Sequence, residues 1–150
     1  MKKVEVIITA NFGALKAYRI EEKSLVHRRG CELIRKTEYE RAHKKLSEIV
    51  TDRAGRFRGS GVATNKNRSF GEEHHLADDL KQKAVKQIAH DIDGVIKHTP
   101  ANGYYLAVPK AISKDILDRL SAATRSKITK RVDVDIVKEP VQAIRDRFKV

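Results

Sequence analysis

From Val4 to Ala10 the chain is apolar at nearly every position, broken once by Glu5, and Asn11-Phe12-Gly13 follows as a tight turn. Beyond the turn Leu15, Ala17 and Arg19 alternate with Lys16, Tyr18 and Ile20, so the two segments read as a β-hairpin. Asn11 suits the turn because asparagine tolerates left-handed backbone geometry. A third antiparallel strand is expected from Ser24 to Arg29, continuing past Gly30 toward Ile34. At Thr37 the period changes: Tyr39, Ala42, Leu46 and Ile49 recur at helical spacing, with Thr37 and Glu40 placed as a capping box.

Asp52 to Gly71 breaks all periodicity and holds Gly55, Gly59, Gly61 and Gly71, half of the 8 glycines. It is expected to be a loop, and long loops inside compact chains often carry function. A helix is predicted from Glu72 to Ile92 or beyond, with Leu76, Leu80, Ala84 and Ile88 as its apolar stripe. Tyr104 to Val108 reads as a buried strand ended by Pro109, and Ala111 to Ala123 as a helix facing inward with Ile112, Ile116, Leu117 and Leu120. Val132, Val134 and Ile136 alternate with Asp133 and Asp135 in a predicted strand from Arg131 to Val137, and Pro140 opens a last helix carrying Val141, Ile144 and Phe148. The order predicts an α/β fold: a ribonuclease-H-like mixed sheet of about five strands, three antiparallel and then parallel, flanked by helices.

The 150 residues suit one domain. No run reaches the ~18 apolar residues of a membrane-spanning helix. Cys31 is alone, which excludes an internal disulfide and fits a reducing compartment, so a cytoplasmic location is expected. Thirty-two Lys plus Arg against 20 Asp plus Glu give a net charge of +12. The excess is spread along the chain, which favours phosphate-rich partners such as RNA, DNA or anionic lipid.

The glycine-rich stretch concentrates this charge. Arg53, Arg56, Arg58, Lys66 and Arg68 are interleaved with Phe57 and Phe70. Arginines neutralise phosphates, phenylalanines stack on exposed bases, and glycines let the backbone come close, so Arg53, Arg56, Phe57, Arg58, Lys66 and Arg68 form a candidate nucleic-acid-binding set. The bland alternative is a solvated insertion. Enzymatic readings fare worse. Gly59-Ser60-Gly61 lacks the spacing of a nucleophile elbow or a phosphate loop. His74 and His75 are adjacent and diverge on a helix, and neither an H-E-x-x-H pair nor a cysteine companion is present. A two-metal nuclease needs converging carboxylates, whereas the first strand ends at Asn11 and the fourth delivers Pro109 and Lys110. No catalytic residue, metal or cofactor is therefore expected.

Several short motifs add a resemblance. Ile8-Thr9-Ala10-Asn11-Phe12-Gly13-Ala14-Leu15-Lys16-Ala17-Tyr18, Ile49-Val50-Thr51-Asp52-Arg53-Ala54-Gly55-Arg56, Glu73-His74 and Tyr105-Leu106-Ala107-Val108-Pro109 resemble the bacterial host-attachment protein family. The second is similar to an Asp-Arg-Pro-Gly-Arg signature with Ala54 in place of proline, and Asn11 stands where that family often has Asp. The positions matching family motifs are Asn11, Gly13, Asp52, Gly55, Glu73 and Pro109. That family is related to the middle domain of archaeal and eukaryotic class-1 release factors, whose matching loop carries Gly-Gly-Gln; here Gly55 to Gly61 contains no such motif. The resemblance implies a non-enzymatic domain associated with RNA or the ribosome. The alternatives are a protein-interaction or envelope-associated factor needed for attachment to host cells, and a hydrolase of RNA or peptidyl-tRNA.

Overall fold

The computed structural model describes residues 3–23, 28–39 and 66–150, with side chains over 3–21, 30–39 and 78–150. Five strands form one mixed sheet: β1 (Val4–Ala10), β2 (Ala14–Lys23), β3 (Arg28–Glu38), β4 (Gly103–Ala107) and β5 (Ile128–Val132), in the order β3-β2-β1-β4-β5. β1 pairs antiparallel with β2, and β2 with β3, while β1–β4 and β4–β5 are parallel. Four helices flank it among the described residues: α1 (Lys66–His98), α2 (Lys110–Arg119), α3 (Ala122–Lys127) and α4 (Val141–Phe148). This is the mixed α/β sheet that the order of sequence segments predicts.

β1 is central, and six of its seven residues are buried, which explains its almost unbroken apolar run. Its side chains alternate between two cores. Val6, Ile8 and Ala10 meet Val85, Ile88, Ile92 and Ile96 of α1 with Ile112 and Ile116 of α2. Ile7 faces the opposite side, with Tyr18, Ile20, Ile136 and the α4 residues Ile144 and Phe148. The sheet is thus covered on both faces, with α1 and α2 on one and α4 on the other. Each burial of an isoleucine of this kind contributes on the order of 1.5–3 kcal/mol.

α1 runs for 33 residues, about 50 Å of helix. Lys97 complements the dipole at its end, and Pro100 stops it. Asn102 then locks β4 to β1: its backbone N–H donates to the Val4 carbonyl at 2.7 Å, and its Oδ1 accepts from the Val4 N–H at 2.9 Å.

Several expectations are corrected. β3 continues through Thr37 to Glu38, so Thr37 is a strand residue pairing Leu15 and caps no helix; positions 40–49 and 24–27 lie outside the described residues. The helix expected from Glu72 already includes Lys66, taking the last six residues of the expected loop with it. The expected 111–123 helix is two, broken at Leu120 and restarted by Ser121, whose hydroxyl accepts from the Thr124 N–H at 3.2 Å. The last strand is Ile128–Val132 and not Arg131–Val137. Beyond Val132, Asp133 and Asp135 turn aside to accept from Ser113 and Asn11, which draws the chain out of the ladder.

Candidate ligand-binding cleft

The β1–β2 turn is built by one side chain. Asn11 Oδ1 accepts from the Gly13 and Ala14 N–H groups, both at 2.8 Å, and the Asn11 N–H donates to the Ala14 carbonyl at 2.9 Å. Asn11 therefore acts through its amide; the left-handed backbone expected of it is absent, since Lys149 alone among the described non-glycine residues has positive φ. Gly13 has no positive φ either, and its carbonyl accepts from the Tyr39 N–H at 2.8 Å, pinning the end of β3 to the turn. The other end of the Asn11 amide reaches across the sheet: Nδ2 donates to both oxygens of Asp135, at 3.1 and 3.2 Å. Asp135 Oδ1 also accepts from the Val137 N–H at 3.3 Å.

These contacts frame a cleft of about 720 Å³ at the C-terminal ends of the central strands. The turn from Asn11 to Ala14 forms one wall, Pro109 after β4 another, and Asp135, Val137 and Lys138 a third. Lys16 from β2 and Lys36 and Glu38 from β3 complete the lining. Lys16 and Lys36 are register partners across the β2–β3 ladder, so their side chains leave the same face. Lys36 Nζ lies 3.4 Å from a Glu38 oxygen. Among the described residues, no carboxylate pairs with Lys16 or Lys138.

The position follows from topology. β1 and β4 are parallel neighbours, but the chain leaves β1 toward β2 on one side and leaves β4 toward β5 on the other. Open α/β sheets bind ligands at such a switch point, in the crevice beyond the strand carboxyl ends. Pro109 terminates β4 and caps α2, its carbonyl accepting from the Ile112 and Ser113 N–H groups at 3.1 and 3.0 Å. The Ser113 hydroxyl is buried and donates to Asp133 at 2.6 Å, fixing the segment after β5 against α2.

A second polar cluster holds β3 on α1. Asp91 is buried and accepts from Arg35 Nη2 at 3.1 Å, Gln87 Nε2 at 3.2 Å and the Tyr39 hydroxyl. Gly94 leaves room for this arrangement, because a Cβ there would stand 3.3 Å from Arg35 Nη1. Burial and the Asp91 carboxylate push the Tyr39 hydroxyl far above its ordinary pKa, so it serves as a fixed donor. Cys31 is exposed on β3, and its thiol is pushed up by the desolvation its neighbours impose, with Arg145 opposing, which leaves it a poor nucleophile.

Of the positions singled out in the sequence, Asn11, Gly13 and Pro109 converge on the cleft. Glu73, Lys66 and Arg68 belong to α1, while Asp52, Arg53, Gly55, Arg56, Phe57 and Arg58 lie outside the described residues. No signal in the sequence marks Lys16, Lys36, Asp135 or Lys138 as site residues. In the sequence Asp135 shows only as the polar phase of an alternating stretch, Lys16 as a polar position inside the Ile8–Tyr18 motif, and Lys36 and Lys138 as part of a general excess of charge. Among the described residues no three His, Cys, Asp or Glu side chains form a metal-binding group, and no helix is long and apolar enough to cross a membrane.

No curated protein matches the chain. A protein family does: the one described as "Protein required for attachment to host cells" matches residues 6–148, from β1 to the end of α4. That span covers the turn, the cleft and both cores, and the chain belongs to this host-attachment family.

Proposed function

We propose that this chain is a non-enzymatic factor that serves attachment to host cells by binding a partner, and that the cleft at the ends of β1 and β4 is its working site. The observation that carries this reading is the cleft itself. It gathers three motif positions, Asn11, Gly13 and Pro109, with Lys16, Lys36 and Lys138 from three separate segments. Of its carboxylates, Asp135 is held by Asn11 and the Val137 N–H, while Glu38 is exposed beside Lys36. The test is attachment by cells lacking the chain, complemented with wild type or with Lys16→Ala/Lys138→Ala at equal protein level. Wild type restores attachment and the double variant does not; equal restoration by both contradicts the reading.

The charge of +12 favours a second reading, association with RNA or the ribosome through Arg53, Arg56 and Arg58 in the manner of a release-factor middle domain. Binding of that kind weakens with salt, log K falling by roughly 0.7 per phosphate contacted on single strands. Sedimentation of tagged protein with ribosomal particles, abolished by salt or ribonuclease, is its expected outcome. Protein that stays at the top of the gradient under every condition dismisses it.

A further inference from the structure

The size and mixed charge of the cleft narrow what it takes. A volume of about 720 Å³ falls within the range of small-molecule sites, roughly 300–1,000 Å³. The lining offers two kinds of polar group. Lys16 and Lys138 place two ammonium groups on the lining, and an ammonium suits a phosphate. Asp135 and Glu38 are acceptors, and a carboxylate has about four lone-pair sites, so both keep capacity for hydroxyl donors after their internal bonds are made. The crevice also lies at the switch point of the sheet, an argument independent of charge.

We infer that the cleft binds a small phosphorylated sugar, free or as part of a nucleotide, with its phosphate on Lys16 and Lys138 and its hydroxyls on Asp135 and Glu38. The inference rests on the reading of this cleft as the working site and adds its ligand class.

Calorimetric titration at low salt with ribose 5-phosphate, ATP, orthophosphate and ribose tests it. The expected result is saturable one-to-one binding of ribose 5-phosphate and ATP, weaker binding of orthophosphate, and none of ribose. Lys16→Ala/Lys138→Ala lowers the affinity by about tenfold or more, as loss of hydrogen bonds to a charged group does, while Arg53→Ala/Arg56→Ala/Arg58→Ala leaves it unchanged. Thermal unfolding of each variant checks its fold, and Lys16→Gln/Lys138→Gln replaces the alanine pair if that pair is unfolded. Absence of saturable binding overturns the inference, as does undiminished binding by the lysine variant. Orthophosphate binding as tight as that of ribose 5-phosphate removes the sugar. Loss confined to the arginine variant moves the phosphate to residues 53–58. The attachment assay is read separately: a lysine variant that fails in attachment while wild type binds no sugar phosphate sinks this inference and leaves the functional reading standing.

Discussion

Asn11 uses both ends of one amide, accepting two turn N–H groups and donating to a carboxylate 124 positions away. Asn11→Ala removes all of these bonds at once and is expected to cost about 1–3 kcal/mol in urea unfolding. Asn11→Asp keeps the turn acceptor but sets a second carboxylate against Asp135. It should be less stable than wild type at pH 7, with the gap closing as the pH falls toward 4 and one of the pair takes a proton. A turn at Asn-Phe-Gly is legible in the sequence, but the sequence points to a left-handed backbone there and not to the amide oxygen that builds the turn. The bond to Asp135 is not legible, because the pairing exists only once β4 has been inserted between β1 and β5. Tyr39 presents a similar case. Its hydroxyl pKa is raised in the fold by burial and by Asp91, so folding favours the protonated form. Its contribution to stability is complete below pH 10, the ordinary tyrosine value, and declines as the pH rises beyond it. Tyr39→Phe should lower stability at neutral pH by about 1.5–3 kcal/mol and flatten that alkaline decline, both read from unfolding curves between pH 7 and 11.

Elements differ in how plainly the chain announces them. β1 and β4 are buried on both faces and stand out as short apolar runs. β5 is an edge strand whose middle three residues, Thr129, Lys130 and Arg131, are exposed, so it carries no alternation to detect. The first residues of α1 include Asn67, Ser69 and Gly71, poor helix formers whose local preference pointed to a loop. The buried stripe from Ala84 to Ile96 is the part of α1 that the sheet holds. Ile88→Ala within it, at 0% exposure, should cost about 2–5 kcal/mol by transfer and cavity terms together. Ser121→Ala, which removes the side-chain N-cap of α3, should cost about 0.5–2 kcal/mol. Thermal or urea unfolding distinguishes the two effects by size.

On the scale of the whole molecule, the sheet order decides where function can sit. Placing β4 beside β1 opens a crevice at their carboxyl ends, and the segments that close it come from β2, β3 and the chain after β5. Composition had pointed elsewhere, to the arginines between positions 53 and 58, because clustered charge is visible in a sequence and convergent charge is not. Lys16, Lys36 and Lys138 are far apart along the chain and meet only through strand pairing and the Asn11–Asp135 bond. The most direct test sets these two lysine- and arginine-based sites side by side. Cells lacking the chain are complemented with Lys16→Ala/Lys138→Ala or with Arg53→Ala/Arg56→Ala/Arg58→Ala, at matched protein levels, and the cells attached to the host surface are counted. The cleft account predicts that the lysine variant fails to attach and the arginine variant attaches as wild type does. Normal attachment by the lysine variant together with failure of the arginine variant would contradict it and move the working site to residues 53–58.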